Sequence, residues 1–487
     1  MKRRAFLRAA AAGGAALAIP EAMDALMARL ARGAPLSANG YGPLVRDPKG
    51  LLELPAGFDY VTLSAGTVHR TDDPHFSDTL TNGEFVPARH DGMAAFAGPP
   101  GITVLVRNHE MNAGETPRVD EARRRPYDPL TAGGTTTLWV DDERRVVKSF
   151  PSLSGTMRNC AGGPTPWRSW LSAEEVTFVP GEADPLNADR QPLVSRRHGY
   201  VFEVDSRAED LVDPVPILGM GRFYHEAVAV DPATAFVYLS EDPPDGLLCR
   251  YRPAVVTSGA KRPHELGPGD LAKGGVLEAL AIARKPSART QNWEEGPRYG
   301  IGRKHAVRWI RIPDIDPDMD LMHDPTDAPT NPTERKLVAA PKSTRAQGFR
   351  LGAAQFARTE GMLFHHGAVY CCCTNGGRAR AGQVWKLDPR RNELSLLVEP
   401  DDPALLDGPD NLCASPHGDL IVCEDGQDDN YLVGITRDGR LYKLARNAYN
   451  GSELAGACFS PDGRTLFFNM QNPGVTFAIR GPWERRA

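Results

Sequence analysis

Beyond its N-terminal stretch the sequence has no apolar run approaching the ~18 residues needed to cross a bilayer, so no membrane span is expected in the mature chain. It has no CxxC pair, which removes the common signature of a structural zinc site, although there are eight cysteines. It has no basic surplus: 57 Lys and Arg stand against 62 Asp and Glu, a formal net charge of −5, and a nucleic-acid partner would require a basic face. It has no G-x-S-x-G elbow, and no serine nucleophile is evident. Helical periodicity is scarce as well, confined to Pro20–Arg32 and to Asp270–Ala281.

What remains is strand and turn. Glycine (48) and proline (42) are spread along the whole chain and punctuate it rather than forming one flexible tail. Between them lie short apolar or alternating runs: Gly101–Val106, Thr135–Val140, Gly199–Val204, Ala227–Val230, Ala235–Leu239, Gly382–Leu387, Asp419–Cys423 and Arg464–Phe468. Each has strand length and β-branched or aromatic enrichment. A turn phrase recurs before several of them, Ser415-Pro416-His417-Gly418-Asp419 and Ser460-Pro461-Asp462-Gly463-Arg464 being the clearest. A type I turn of this kind joining two antiparallel strands is typical of propeller blades. The pattern predicts an all-β chain folded as a β-propeller with long loop insertions and a few short helices. The largest insertion is expected at 261–347, with a Pro/Asp-heavy centre at Pro313–Pro332.

The N-terminus, MKRRAFLRAAAAGGAALA, carries Arg3 and Arg4 ahead of a weakly hydrophobic Ala/Gly run. It resembles a twin-arginine export signal, so residues 1–34 are expected to be a signal peptide cleaved between Ala18 and Ala34. The twin-arginine machinery would then be a partner, and the periplasm or exterior the destination of 35–487.

Acidic residues recur where strands end: Glu110, Glu174-Glu175, Glu226, Glu241-Asp242, Glu360, Asp410, Glu424-Asp425 and Glu453. In a propeller, strand ends meet at the channel, where clustered carboxylates repel one another unless a cation lies among them. Oxygen-rich ligation helped by Asn108 and Asn411 suits Ca²⁺. Cys160, in the context RNCAGGPTPW, adds one soft ligand to a hard set and suggests a metal such as iron sharing the site. The run Cys371–Cys373 reads as a buried strand, and His109, His225, His365 and His366 read as packing groups beside the site.

These motifs in order, RNHE, RNCAGGPTPW…WLSAEE, GRFYHEAVAVDP…VYLSEDPPDGLLCRY, ARTEG, PDNLCASPHGDLIVCEDG and GSELAGACFSPDGRTLFFNMQNPG, resemble the PhoX family of secreted bacterial phosphatases from about residue 40 to 480. The resemblance implies a six-bladed propeller and a cofactor of two ferric and three calcium ions. It makes Cys160 the bridge between the irons. It implies metal ligation by Glu175, Glu226, Asp242 and Glu360, joined by Asn108, Glu110, Asp410, Glu424 and Glu453. Arg358 would contact the phosphate, a task a guanidinium fork suits by its geometry.

One departure stands out. The family carries a phosphate-contacting lysine several residues before the cysteine. Here Ser152 and Ser154 flank that region, the nearest lysine is Lys148, and Arg158 or Arg168 would have to substitute. The expected activity is metal-assisted hydrolysis of a small phosphate monoester. Alternatives on the same site are a phosphodiesterase or other ester hydrolase such as a lactonase, or a calcium-stabilised propeller that only binds.

Overall fold

The computed structural model describes residues 40–66, 78–181, 194–294, 299–323 and 337–484. The signal-peptide reading of residues 1–34, the helix reading of Pro20–Arg32 and part of the Pro313–Pro332 segment lie outside these residues.

The architecture is all-β. The regions expected as strands form strands, including Ile102–His109, Gly133–Asp141, Val201–Asp205, Gln383–Asp388 and Thr465–Met470. The described helices are short, the longest being Thr344–Arg350, and none of them is long and apolar enough to cross a membrane. Asp270–Ala281 is not helical beyond one 3-10 turn at Leu271–Lys273, because Gly275–Ile282 pairs antiparallel with Cys249–Pro253. Its V-L-x-A-L-A-I run is buried as a sheet strand, and packing there overrides weak helix propensity.

Six strands set the geometry: β1 (His90–Ala97), β2 (Asn159–Pro164), β3 (His225–Val230), β4 (Thr359–His365), β5 (Pro409–Ala414) and β6 (Leu454–Phe459). Each packs against the next, and β6 packs against β1, so the six close a ring. Each also begins a sheet that runs outward. β1 starts a four-stranded sheet and β2 a three-stranded one. β5 starts a sheet of six strands, extended at its outer edge by Leu52–Pro55 and Leu44–Val45. β6 starts a sheet closed by the N-terminal strand Asp59–Ala65 on Val475–Arg480. β3 and β4 are the two ends of one nine-stranded sheet, fused where Lys304–Arg311 pairs with Glu393–Val398. The arrangement is propeller-like, but hydrogen bonding does not divide it into equal four-stranded units. Two strands of the 261–347 region, Gly275–Ile282 and Lys304–Arg311, are part of the fused sheet. Apolar layers fill the wedges between sheets, for example Leu171, Val228, Leu239 and Leu277. All eight cysteines are free thiols, and Cys371, Cys372 and Cys373 are buried in one strand.

The phrases Ser415–Gly418 and Ser460–Gly463 turn β5 and β6 back into their second strands. Gly418 and Gly463 take φ of 86° and 73°, a left-handed conformation that favours glycine. These turns lie at one end of the ring. At the other end the chain buries charge.

One such charge fixes the β2 sheet. His198 is fully buried, with Nδ1 2.7 Å from Glu174 and Nε2 3.4 Å from Asp128. Burial opposes its charge, but the two carboxylates outweigh it and hold the imidazole up at about 9. A raised histidine contributes its full stabilisation below the ordinary value of 6.5 and loses it as pH rises through 9. The shift corresponds to about 3 kcal/mol. Thermal denaturation should therefore show a melting temperature that falls between pH 7 and 10, and His198→Asn should start lower and flatten that decline. An unchanged pH profile in the variant would refute the assignment.

Candidate metal centre

The first turn of each ring strand carries the same irregularity. His90 pairs with His109 but Met93 with Arg107, so three steps on β1 match two on its partner. The same offset occurs at Asn159/Gly162, His225/Val228, Thr359/Met362, Pro409/Leu412 and Ala455/Cys458. One extra residue per strand is a β-bulge, which bends the strand and re-aims a side chain. The residue at the second bulge position is Asp91, Cys160, Glu226, Glu360, Asp410 and Gly456 in turn. Five of the six strands thus place an acid or a thiol at the axis, and β6 has glycine there.

The following residue is glycine or alanine in every ring strand but β5, which has Asn411, because the bulges touch. A Cβ on Gly92 would lie 2.6 Å from Ala161 Cα, and one on Gly361 would lie 2.7 Å from Asn411 Cα. Below this floor the axis opens into a cavity of about 190 Å³, lined by Met93, Ala161, Ala227, Met362, Cys413 and Cys458 among others.

A second tier comes from the strand that pairs with each bulge. The residue just past its end is Glu110, Glu175, Asp242, Thr374 or Asp425 for the first five strands. A repeated main-chain bond holds this tier: the amides of Glu110, Glu175, Asp242, Thr374 and Asp425 donate to the carbonyls of Arg89, Arg158, Tyr224, Arg358 and Gly408. Glu453, just before β6, completes the set. Nine carboxylates therefore face one another: Asp91, Glu110, Glu175, Glu226, Asp242, Glu360, Asp410, Asp425 and Glu453.

Their electrostatics are those of crowded, buried anions. Burial first, and then neighbouring carboxylates, push Asp91, Glu226, Glu360 and Glu453 well above the carboxylate range. Asp410 is pushed up to about 8 for the same reasons. Glu175 also reaches about 8, raised by burial and Asp242 against the pull of Arg158. Burial, then Asp91 and Glu226, raise the Cys160 thiol, whose Sγ donates to Glu226 at 3.0 Å. Two guanidiniums answer this charge. Arg158 bonds Glu110 (Nε, 3.2 Å) and Glu175 (Nη2, 2.7 Å). Arg358 holds Asp242 through Nε (3.0 Å) and Nη2 (2.8 Å), and Glu360 at 3.0 Å.

Among the described residues, two positive charges stand against nine acids, and Glu226 Oε2 is buried with no hydrogen-bond partner. The ligand atoms of Cys160, Glu175 and Glu226 lie within 4.8 Å of one another, and so do those of Glu226, Glu360 and Asp410. Hard oxygens with one thiol, grouped around Glu226, form a donor set that fits several cations.

Of the residues expected at the site, Cys160, Glu110, Glu175, Glu226, Asp242, Glu360, Asp410, Glu453 and Arg358 are brought together here. Two are not. Asn108 spends its whole amide on the protein: Nδ2 donates to the Cys160 and Ala161 carbonyls, while Oδ1 accepts from Trp170 and Ser172. It buttresses the Cys160 bulge and has no oxygen left for a cation. Glu424 points away from the axis to Lys443 (2.9 Å) and the amides of Asp407 and Tyr431. Adjacent strand residues face opposite sides, so its neighbour Asp425 takes the axial place. The pairs Glu174-Glu175 and Glu241-Asp242 follow the same rule, the first residue tying a buried cation (His198, Arg345) and the second facing the axis. That rule, applied to the sequence, selects Asp425. Asp91 holds the same second position in its strand as Glu226, Glu360 and Asp410, which begin strands and do not end them, and the sequence reading passed over it.

The histidines are packing groups: His109 bonds the Ala88 carbonyl and Thr136, and His225 bonds the Gly221 carbonyl. Arg168 lies in the far turn and donates to the Ala97 carbonyl, and Lys148 pairs with Glu209 on the surface. Neither can replace the absent lysine.

Comparison with known proteins gives a consistent result. A family model described as alkaline phosphatase PhoX matches residues 39–474. No sequence relative is found among curated proteins. Among solved structures, Pseudomonas fluorescens PhoX in complex with vanadate, a transition-state analogue, superposes with a TM-score of 0.63 at 17% identity. The match covers 91% of this chain and 98% of that one, and at this identity it shows a shared fold. A gluconolactonase from Xanthomonas campestris matches more loosely, with a TM-score of 0.37 at 12% identity over 93% and 99% of the two chains.

The contrast between Asp425 and Glu424 is testable. Asp425→Asn should lower the bound metal measured by elemental analysis. Glu424→Gln should keep the metal and cost about 1–3 kcal/mol of stability by weakening the partner of a buried lysine. Equal metal loss in both would contradict the placement.

Proposed function

The chain belongs to the PhoX family of alkaline phosphatases, and from that premise we propose that it hydrolyses phosphate monoesters with a metal cluster seated on the axial acids. The observation that carries the reading is the excess of buried carboxylate over positive charge around Glu226, an arrangement that costs several kcal/mol per ion unless cations enter it. We read the ring of six bulged strands as six blades, two of them fused. We read the ions as Ca²⁺ and Fe³⁺, because crowded carboxylate oxygens suit calcium, which takes about 6–8 of them, and the single thiol of Cys160 suits iron. Cys160, Glu175 and Glu226 would hold iron. Glu226 with Glu360 and Asp410, the axial Asp91, and the second-tier acids Glu110, Asp242, Asp425 and Glu453 would hold calcium.

When bound, such ions supply positive charge for the phosphoryl oxygens and lower the pKa of bound water. The protein supplies the rest. Arg358 presents a guanidinium whose Nε and Nη2 are fixed on Asp242, so its orientation is set before substrate arrives and little reorganisation is needed as charge develops. Asp242 and Glu360 keep Arg358 charged despite the burial that opposes it. The bulge contacts fix the Cys160 and Glu226 backbones to each other's strands and hold the acids at constant spacing.

The Arg3-Arg4 leader supports export in a folded state and a periplasmic or secreted location.

Three measurements decide these points. Purified protein should hydrolyse a chromogenic phosphate monoester faster than a diester, and a strong chelator should abolish turnover. Cys160→Ala should lose iron, visible absorbance and turnover together; full turnover in that variant would reject its ligand role. Changing Arg3 and Arg4 to Lys should leave the protein in the cytoplasm on cell fractionation, and unchanged export would reject the signal.

A further inference from the structure

Arg358 has a structural twin. Arg158 precedes β2 as Arg358 precedes β4, and each stands two residues before an axial ligand, Cys160 or Glu360. Both adopt left-handed backbone, with φ of 46° and 50°. Non-glycine residues reach that region at a cost of about 1 kcal/mol or more, and such strain concentrates at functional sites. The carbonyl of each accepts the amide of the second-tier residue beside it, Glu175 for Arg158 and Thr374 for Arg358, both at 3.0 Å. Each side chain uses Nε and Nη2 on two carboxylates, and Nη1 of each makes no hydrogen bond to the described residues. Each remains partly accessible, at 21% and 30%. Glu175 and then Glu110 keep Arg158 protonated against burial.

We propose that Arg158 is a second phosphoryl-binding arginine that joins Arg358 at the acidic ring and replaces the lysine this chain lacks. The inference rests on the phosphatase reading above. Arg158 and Arg358 precede β2 and β4, the ring strands on either side of β3, and Glu175, which Arg158 grips, also feels the charges of Asp242 and Arg358. A phosphoryl group over the ring would meet one free Nη1 from each side, and charge-assisted bonds of this kind are strong and directional. Arg89 is an internal comparison. It has the same left-handed place before β1, with φ of 50°, but its fork turns outward onto Glu115 at 3.1 Å through both Nε and Nη2.

The test uses metal-loaded full-length protein and its Arg158→Ala, Arg158→Lys and Arg89→Ala variants. Metal content, affinity for inorganic phosphate by calorimetry, and kcat and KM are measured on each. Arg158→Ala should keep its metals, bind inorganic phosphate at least about tenfold more weakly and lose about 100-fold in kcat/KM, on the scale of losing one transition-state donor. Arg158→Lys should recover part of the phosphate affinity, and Arg89→Ala should match the wild type. Unchanged phosphate affinity in Arg158→Ala overturns the proposal, as does a loss of affinity that only tracks lost metal. A wild type that binds phosphate yet hydrolyses no ester would sink the phosphatase reading and leave phosphate affinity to decide the role of Arg158. A wild type that binds no phosphate would overturn both.

Discussion

Repulsion among buried carboxylates is the constraint around which this molecule is organised. Nine acids converge on one axis where water is scarce, and the protein supplies two arginines against them. No packing term offsets that imbalance locally. It is tolerable because the sheets that carry the acids are large, apolar between layers and closed into a ring, so that the stability of the whole fold holds the charges in place. On the proposed metal-bound reading, a pocket that has already met the cost of assembling its anions in folding would accept a positive ion without further rearrangement.

The repeated bulge is the device that produces the convergence. A regular strand would send alternate side chains into the wedges between sheets. One inserted residue per ring strand turns Asp91, Cys160, Glu226, Glu360 and Asp410 to the axis instead. Because neighbouring bulges touch, glycine or alanine follows the axial residue in β1 to β4. The left-handed arginines belong to the same repeat. A reversal before the strand carries Arg158 onto Glu110 and Glu175 and Arg358 onto Asp242 and Glu360, while Arg89 turns outward onto Glu115. Part of the charge balance of the ring thus comes from one backbone motif used more than once.

Much of this was legible in the residues. Strand positions followed from alternation and turn phrases, and the Ser-Pro-x-Gly turns fell at hairpin ends as their chemistry requires. The failures have physical causes. Glu424 and Asp425 are equivalent in composition, and only the pleat decides which faces the axis. Asn108 has the right chemistry for a calcium ligand, but four hydrogen bonds consume it. Asp270–Ala281 has helical spacing, yet a waiting sheet edge claims the segment from Gly275 onward.

The sequence by itself determined the kind of protein: an all-β chain with acids beside its strand boundaries, one cysteine next to a glycine pair and the motifs of its family. These are local matters, set by side-chain chemistry and backbone preference within a few residues. The tertiary structure alone decided which acids meet, that Asp91 joins them, that Glu424 leaves them, and that Arg158 and Arg358 reach the same ring of acids. Those outcomes depend on bulge register and ring closure between residues hundreds of positions apart, and no short stretch of chain encodes such distances.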